Sequence, residues 1–261
     1  MADQGLREKD LEAYTDFSAL YDEFMEDTPY DEWCERICKE LAGYGITDGL
    51  VCELGAGTGE MTRRLKDRGF DMIGIDNSES MLMMAKVKDD SEDILYLNQD
   101  MRDMELYGTV RAIVSVCDSI NYILDTGELA GVFKLCNNYL DPAGILIFDF
   151  NTEYKYRCEI GDTVIADTRD DAAFIWDNRY DAETHLNEYD ITFFKEEHGG
   201  LYRRFTETHV QRGYTLEEIK NAIGSSGMIF LKAFDADTGK ECGNTSGRIV
   251  VVACECGKAR H

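Results

Sequence analysis

The chain has 261 residues, 44% of them hydrophobic, and its 27 basic and 52 acidic side chains give a formal net charge of −25. This length predicts one large domain, or one domain with a sizeable insertion. An acidic surface repels phosphate backbones and anionic lipid headgroups, so neither nucleic acid nor a membrane is an expected partner.

The nine cysteines form no C-x-x-C pair, and only four histidines accompany them. Their spacing does not match a zinc site, so we predict no metal site and a reduced, cytoplasmic protein. The opening residues, MADQGLREKDLEAY, lack an apolar signal core, and no stretch of 18 apolar residues occurs that could span a membrane.

Apolar residues follow helical periods and short buried runs in alternation over the first part of the chain. The predicted elements are helices at 10–27 and 30–43, then strand 49–55, helix 59–68, strand 70–76, helix 78–88, strand 94–100, strand 110–118, a helix near 127–140 and strand 144–151. Strands that alternate with helices indicate a doubly wound α/β fold with a parallel, Rossmann-like sheet.

The pattern changes after the fifth strand. Residues 161–213 read as strand segments joined by turns, with EHGG as a hairpin turn, which predicts an antiparallel β insertion. A helix then begins at Thr215, where Glu218 completes a capping box, and two strands close the chain. We therefore divide the chain into a core at 1–151, an insertion at 152–213 and a completing segment at 214–261.

The stretch VCELGAGTGE at 51–60 places a glycine turn between the first strand and its helix, which marks a small-molecule site at the carboxyl edge of the sheet. A dinucleotide site requires G-x-G-x-x-G, but that register puts Glu60 at the last glycine, close to a pyrophosphate. S-adenosylmethionine has no phosphate and carries a sulfonium and an ammonium. An acid such as Glu53 before the turn suits that cofactor, and bare glycine backbone lets it lie close.

The glycine loop, which Glu53 enters, and the acids Asp76 and Asp100 come at the ends of the first three strands in order. A carboxylate at the end of strand two can accept both ribose hydroxyls, although dinucleotide enzymes use the same acid. A carboxylate in NQDM, after strand three, can accept the adenine amino group, and the next backbone N–H can meet the ring. The ordered set predicts a methyltransferase fold.

The chain resembles class I S-adenosylmethionine-dependent methyltransferases in VCELGAGTGE, GIDNSESMLMMA, NQDM and CDSINYI. More narrowly, YTDFSALYDEFMEDTPYDEW and RRFTETHVQRGYTLEEI resemble a bacterial small-molecule group with a β insertion after strand five, which includes sugar-amine N,N-dimethyltransferases. The resemblance implies a seven-stranded sheet whose last strand is antiparallel. It also implies that the N-terminal helix folds over the cofactor.

The predicted contacts to S-adenosylmethionine, and to its product S-adenosylhomocysteine, come from the N-terminal helix, the glycine loop and the ends of strands two to four. They are Tyr14, Tyr21, Glu53, Gly55, Ala56, Gly57, Gly59, Asp76, Asn77, Met81, Asp100, Met101 and Cys117. For Tyr14 and Tyr21 the alternative is an aromatic stripe that packs in the core.

Asp118 and Tyr122, after strand four, are the polar groups best placed to face the methyl group. We predict that Tyr122 orients the acceptor and that Asp118 attracts it, the alternative for Asp118 being a helix cap. The resemblance puts a histidine base near Tyr122, and this departure argues against that mechanism and against an amino-sugar acceptor. Tyr14 and His209 are the other catalytic candidates, although a strand histidine is more often structural.

Trp176 and Arg212 of the insertion are candidate acceptor contacts, and for Trp176 the alternative is packing within the sheet. The predicted function is methyl transfer to N or O of a small-molecule acceptor by a monomer or homodimer, with the insertion as a lid. The alternatives are a cofactor-binding module without turnover and, less favoured because of Glu60, an NAD-dependent oxidoreductase.

Overall fold

A computed structural model describes residues 22, 24–26, 28–197 and 199–259. Its helices are α1 (Tyr30–Gly43), α2 (Glu60–Asp67), α3 (Glu79–Lys88), α4 (Thr126–Tyr139) and α5 (Leu216–Ser226), with a 3-10 turn at Ser119–Tyr122 and a π-helical turn at Lys155–Ile160. Most of the predicted helix at 10–27 lies outside the described residues.

Helices separate β1 to β3 and β4 from β5, a loop joins β3 to β4, four more strands follow in the insertion, and two close the chain. Their bounds are β1 (Gly49–Leu54), β2 (Phe70–Asp76), β3 (Leu95–Asn98), β4 (Val110–Ser115), β5 (Leu140–Asn151), β6 (Val164–Thr168), β7 (Ala172–Asp181), β8 (Leu186–Glu197), β9 (Leu201–Arg212), β10 (Ile229–Asp235) and β11 (Arg248–Cys254).

Seven strands form the core sheet in the order β10-β11-β5-β4-β1-β2-β3. Strands β1 to β5 pair in parallel, whereas β11 runs antiparallel to both β5 and β10. The doubly wound fold with an antiparallel last strand is therefore confirmed. Apolar side chains pack on both faces of this sheet, as a parallel sheet covered by helices requires.

The helix starts follow the predicted capping chemistry. Ser78 accepts a hydrogen bond from the Met81 N–H at the start of α3, and Thr215 and Glu218 form the capping box of α5. Two short turns were not predicted, at Ser119–Tyr122 and Lys155–Ile160. The fourth strand was predicted to continue to 118 but ends at Ser115.

Strands β6, β7, β8 and β9 form a separate antiparallel sheet, which confirms the β insertion after strand five. Residues that face each other across an antiparallel pair lie on the same face of the sheet. Tyr189 pairs with Asn178 on one side and with His209 on the other, so these three share a face with Trp176. We call this the inner face of the insertion sheet.

The inner face meets the carboxyl edge of the core sheet. Asn121 of the 3-10 turn donates hydrogen bonds to the Asn151 and Arg212 carbonyls at 2.8 and 2.7 Å. Tyr156 of the π-helical turn donates to Gln211 of β9 at 2.7 Å. These buried polar contacts fix the insertion against the end of strand four, where acceptor chemistry was predicted.

Candidate active site

The glycine loop after β1 packs against the protein on one side and is open on the other. Gly55, Gly57 and Gly59 all have positive φ angles of 73°, 53° and 79°, which favour glycine. A Cβ added at Gly55 would collide with the Ser119 hydroxyl, whereas one at Gly57 would meet nothing within 4 Å. The loop therefore packs tightly against Ser119 and leaves open space beside Gly57.

Glu53 enters this loop as a buried carboxyl group with 1% of its surface exposed. Burial raises its pKa to about 8, a shift that a hydrogen bond from Thr62 opposes. Among the described residues, no cationic side chain is bonded to Glu53, and an approaching cation would favour its ionised form. This chemistry fits the positive methionine end of S-adenosylmethionine.

Asp76 ends β2 beside the loop. Its carboxylate accepts hydrogen bonds from the Gly57 and Ser78 N–H groups, each at 2.8 Å, and burial raises its pKa. An ionised carboxylate has about four acceptor sites, so Asp76 keeps capacity to accept from a ligand hydroxyl. The two backbone bonds hold the group in place, as a ribose-binding acid requires.

Asp100 follows β3 and forms an ion pair with Arg102 at 2.6 Å. That hydrogen bond lowers the pKa of Asp100, and the Asn77 side chain contributes in the same direction. Met101 reaches toward the glycine loop, where its terminal carbon lies 3.9 Å from a Cβ placed on Gly55. Because β1, β2 and β3 are neighbours, Glu53, Asp76 and Asp100 follow one another along the same sheet edge.

The backbone after β4 is bent at two consecutive residues. Cys117 and Asp118 have φ angles of 57° and 52°, a conformation that L residues rarely adopt and that costs about 1–3 kcal/mol each. Both N–H groups donate to the buried Asp149 carboxylate, at 3.3 and 2.8 Å. Asp149 therefore holds the turn that presents this segment to the cleft.

The side chain of Asp118 is engaged within the protein. It accepts from Arg248 at 2.8 Å and from Gln211 at 2.7 Å, and Arg248 also lies 3.5 Å from Asp149. Asp118 makes no side-chain cap at the 3-10 turn either. This differs from both sequence-based readings, because the charge proposed to attract an acceptor is already paired with Arg248.

Tyr122 meets the inner face of the insertion sheet. Its hydroxyl lies 3.0 Å from the Tyr189 hydroxyl and 3.0 Å from His209 Nδ1. The opposite ring nitrogen of His209 lies 3.2 Å from Glu207. Tyr122 keeps 42% of its surface exposed, and desolvation raises the pKa of its phenol. The two catalytic candidates from distant parts of the sequence are thus joined directly.

Apolar groups cover the remainder of the inner face. Trp176 packs against the Tyr189 ring at 5.1 Å, and its buried indole N–H has no hydrogen-bond partner among the described residues. Met81 of α3 packs into a cluster that includes Phe193 and Phe24. The insertion therefore extends from the 3-10 turn after β4 to the helix that follows Asp76.

Arg212, a predicted acceptor contact, does not join Tyr122 and His209 on the inner face. Residues alternate in direction along β9, so Arg212 faces away from His209, and it pairs with Glu218 at 3.0 Å. Tyr14 and Tyr21 lie outside the described residues. The nearby Asp22 accepts from Thr58 of the glycine loop at 2.6 Å and pairs with Lys88 at 2.5 Å.

Five contributors were not predicted from the sequence, namely Asp149, Tyr189, Glu207, Gln211 and Arg248. A partial signal existed for Glu207, because residues two apart on a strand share a face and Glu207 precedes His209 at that spacing. Within the described residues, no group of three His, Cys, Asp or Glu side chains could hold a metal ion. No helix of that part of the chain is long and apolar enough to cross a membrane.

Comparison with known proteins identifies the family to which the chain belongs. A family model described as a methyltransferase domain matches residues 51–144, which contain the loop and the three acids. YqeM of Bacillus subtilis, which is named as a methyltransferase, is 36% identical over 217 residues, covering 82% of this chain and 86% of YqeM. The chain belongs to the S-adenosylmethionine-dependent methyltransferases.

Solved structures agree with this assignment. An S-adenosylmethionine-dependent methyltransferase from Clostridium acetobutylicum superposes with a TM-score of 0.84 at 27% identity, over 94% of this chain and all of that one. DesVI of Streptomyces venezuelae, at 21% identity, shares the fold with a TM-score of 0.78 over 92% of this chain and 98% of its own. S-adenosylmethionine is thus the cofactor of this methyltransferase.

Proposed function

We propose that this methyltransferase transfers a methyl group to N or O of a small-molecule acceptor bound between the carboxyl edge of the core sheet and the inner face of the insertion sheet. The observation that carries the proposal is the contact of the Tyr122 hydroxyl with both Tyr189 and His209. It joins the end of β4, where the methyl group is expected, to the insertion. Residues 152–213 then act as the lid that selects the acceptor.

The cofactor would lie along the ordered acids, with the ribose hydroxyls on Asp76, the adenine near Asp100 and Met101, and the methionine end toward Glu53. S-adenosylmethionine supplies a methyl carbon on a sulfonium, whose sulfur keeps the bonding electron pair when the acceptor's lone pair forms the new bond. The protein aligns the acceptor and excludes water. Cys117 and Met81 would border the cofactor at the ends of β4 and α3.

Tyr122 would orient the acceptor by hydrogen bonding to its N–H or O–H group. Tyr189, Trp176 and His209 line the same face and offer aromatic surface and polar atoms, as small-molecule pockets commonly do. A sugar-amine N,N-dimethyltransferase from Streptomyces venezuelae is 24% identical over 181 residues, which favours nitrogen as one acceptor atom. Because Asp118 is already paired with Arg248, the proposal does not require a positively charged acceptor.

The NAD-dependent alternative is disfavoured by the residue at the start of α2, because Glu60 stands where the dinucleotide motif has its last glycine. Burial raises the pKa of Glu60, but hydrogen bonds from Lys88 and Arg64 outweigh burial and lower it to about 2. These cations hold the Glu60 side chain at the position where the last glycine of a dinucleotide site permits close packing of helix and strand. A cofactor-binding module without turnover stays an alternative that only an activity measurement separates.

Two measurements test the proposal. Calorimetry should show binding of S-adenosylhomocysteine and none of NAD, and a metabolite extract incubated with methyl-labelled cofactor should yield labelled products. With the acceptor found, Tyr122→Phe should lower kcat by at least about 100-fold, the usual contribution of a positioned acid–base group, and leave S-adenosylhomocysteine affinity within about twofold. Tyr107→Phe is the matched control, since Tyr107 is fully exposed. A Tyr122→Phe enzyme with the wild-type rate would place acceptor chemistry elsewhere.

A further inference from the structure

Three polar side chains form a continuous hydrogen-bonded chain at the acceptor side of the site. The Tyr122 hydroxyl lies 3.0 Å from His209 Nδ1, and His209 Nε2 lies 3.2 Å from Glu207 Oε2. Glu207 and His209 are two residues apart on β9 and so share the inner face. Tyr189 stacks on the His209 ring at 5.0 Å with an interplanar angle of 18°.

The chemistry of these groups fixes their protons. An ionised carboxylate only accepts hydrogen bonds, so the bond to Glu207 requires a proton on His209 Nε2. In the neutral ring Nδ1 is then the acceptor, and the Tyr122 hydroxyl donates to it. Tyr122 has one proton, so Tyr189 must donate to the Tyr122 oxygen. One lone pair of that oxygen stays available to the acceptor.

We propose that Glu207 is a positioning residue that holds His209 in its Nε2–H tautomer, so that Tyr122 and His209 together take up the proton that the acceptor heteroatom loses on methylation. This inference rests on the proposed function, because the relay acts only if an acceptor is methylated beside Tyr122. The arrangement follows the general logic in which a carboxylate orients a histidine base.

The proton transfer balances within these residues. As the acceptor heteroatom forms its bond to the methyl carbon, its proton passes to the Tyr122 oxygen while the Tyr122 proton passes to His209 Nδ1. Tyr122 is neutral before and after the step, so the raised pKa of its phenol is no obstacle. The positive charge resides on the imidazolium, which donates to Tyr122 and to Glu207.

Other carboxylates near Tyr122 are engaged elsewhere. Asp118 is bonded to Arg248 and Gln211, and Asp76 accepts from backbone N–H groups of the glycine loop and of Ser78. Among the described residues, Glu207 is the carboxylate placed within hydrogen-bond distance of His209. We therefore assign control of the His209 tautomer to Glu207.

The tautomer can be measured without knowing the acceptor. Long-range 1H–15N NMR of 15N-histidine-labelled enzyme distinguishes a protonated Nε2 from a protonated Nδ1, at about pH 8.5, well above the ordinary histidine pKa. The chain has four histidines, and His209→Gln identifies the signal of interest. We expect the Nε2–H tautomer in the wild type, a mixture in Glu207→Ala, and the wild-type tautomer in Glu207→Gln, whose amide oxygen still accepts.

Glu188→Ala is the matched control, because Glu188 lies on the other face of the same sheet, next to Arg179. It should leave the His209 signals unchanged. An Nδ1–H tautomer in the wild type, or an unaltered tautomer in Glu207→Ala, would overturn the inference whatever the enzyme's activity.

Activity supplies the second readout. With a known acceptor, Glu207→Ala should lower kcat by about 10- to 100-fold, within the range of acid–base catalysis, with little change in KM, and Glu207→Gln should recover most of it. A tautomer change with kcat unaffected would also overturn the relay. If the tautomer responds as expected but the wild type transfers no methyl group to any acceptor, the proposed function fails while the control of His209 by Glu207 stands.

Discussion

The two sheets build their parts of the site in different ways. In the core sheet the candidate cofactor acids lie at the carboxyl ends of their strands: Glu53 is the second-last residue of β1, Asp76 is the last of β2, and Asp100 comes two positions after β3. In the insertion, the groups around Tyr122 are cross-strand neighbours, since Tyr189 of β8 pairs with His209 of β9. The candidate cofactor site, which we call the cofactor half, therefore depends on local sequence motifs. The candidate acceptor site, the acceptor half, depends on the register of the insertion strands.

The two sheets also differ in burial, because the core strands are more buried than those of the insertion. Four consecutive residues of β1 are buried, whereas all five residues of β6 are exposed. Along β9 the strand is exposed at Leu201 and becomes buried at Gln211, where it meets the core. The insertion thus depends on the core mainly through its end at the active site. We therefore expect substitutions at this junction to have the largest effect on stability.

Arg248 of β11 carries this junction, because it pairs with Asp149 of the core and with Asp118, which in turn accepts from Gln211 of the insertion. Removing one member of a buried ion pair leaves the other charges uncompensated. We expect Arg248→Met to lower the free energy of unfolding by about 3–5 kcal/mol, measured by urea denaturation.

Arg179→Met is the control for this variant, since Arg179 forms exposed ion pairs on the insertion and should cost no more than about 1 kcal/mol. Arg248→Met combined with Asp118→Asn should recover part of the loss, because one unpaired charge is removed. Equal free energies of unfolding for the Arg248 and Arg179 variants would mean that the buried ion pairs of the junction stabilise the fold no more than exposed ones do.

The difference between the two sheets also explains how far the sequence could be interpreted. Helix α1 at Tyr30–Gly43 and strand β2 at Phe70–Asp76 have the predicted bounds, because the pattern of apolar residues that defines each of them is a local property. The strands of the insertion were also predicted, but Glu207 and Tyr189 were not assigned to the site. A shift of one residue in strand register moves every side chain to the opposite face, and sequence alone did not fix that register.

The pairing of Asp118 was missed for a related reason. Arg248 lies 130 positions away in the chain and reaches Asp118 only because β11 inserts antiparallel beside β5. The π-helical turn at Lys155–Ile160 was missed because its residues show neither a strand period nor a full helical period. Tertiary contacts of this kind have no signature in a single sequence.

A variant of Asp76 isolates the cofactor half. Asp76→Ala removes the carboxylate proposed to bind the ribose, and charge-assisted hydrogen bonds are worth about 1.5–3 kcal/mol each. Affinity for S-adenosylhomocysteine should therefore fall by about 10- to 150-fold in calorimetry, with the Tyr122–His209 contact intact. Asp71→Ala is the control, because Asp71 is an exposed aspartate at the other end of β2. An unchanged affinity in Asp76→Ala would exclude the ribose assignment.

Glu53 gives a smaller, pH-dependent effect, whose sign follows from its raised pKa. Burial raises this pKa from 4.5 to about 8, so between these values the folded protein keeps a proton that the unfolded chain releases. The free energy of unfolding should therefore decline as pH rises from about 4.5 through about 8. The ammonium group that S-adenosylmethionine and S-adenosylhomocysteine share favours the ionised carboxylate, so binding of either ligand should release this proton near neutral pH.

Binding of S-adenosylhomocysteine should accordingly strengthen as pH rises from about 6 to about 8, by at most about tenfold per unit, and Glu53→Gln should lose that part of the slope. Calorimetry in two buffers of different ionisation enthalpy counts the protons released, and the difference between wild type and variant isolates Glu53 from the ligand's own amine. Glu255→Gln is the control, since Glu255 is also buried but accepts hydrogen bonds from the Ala143 and Lys258 N–H groups away from the loop. The same pH slope in Glu53→Gln as in the wild type would show that the buried acid does not meet the ligand's charge, and would leave Asp76 and Asp100 as the acids that define the cofactor half.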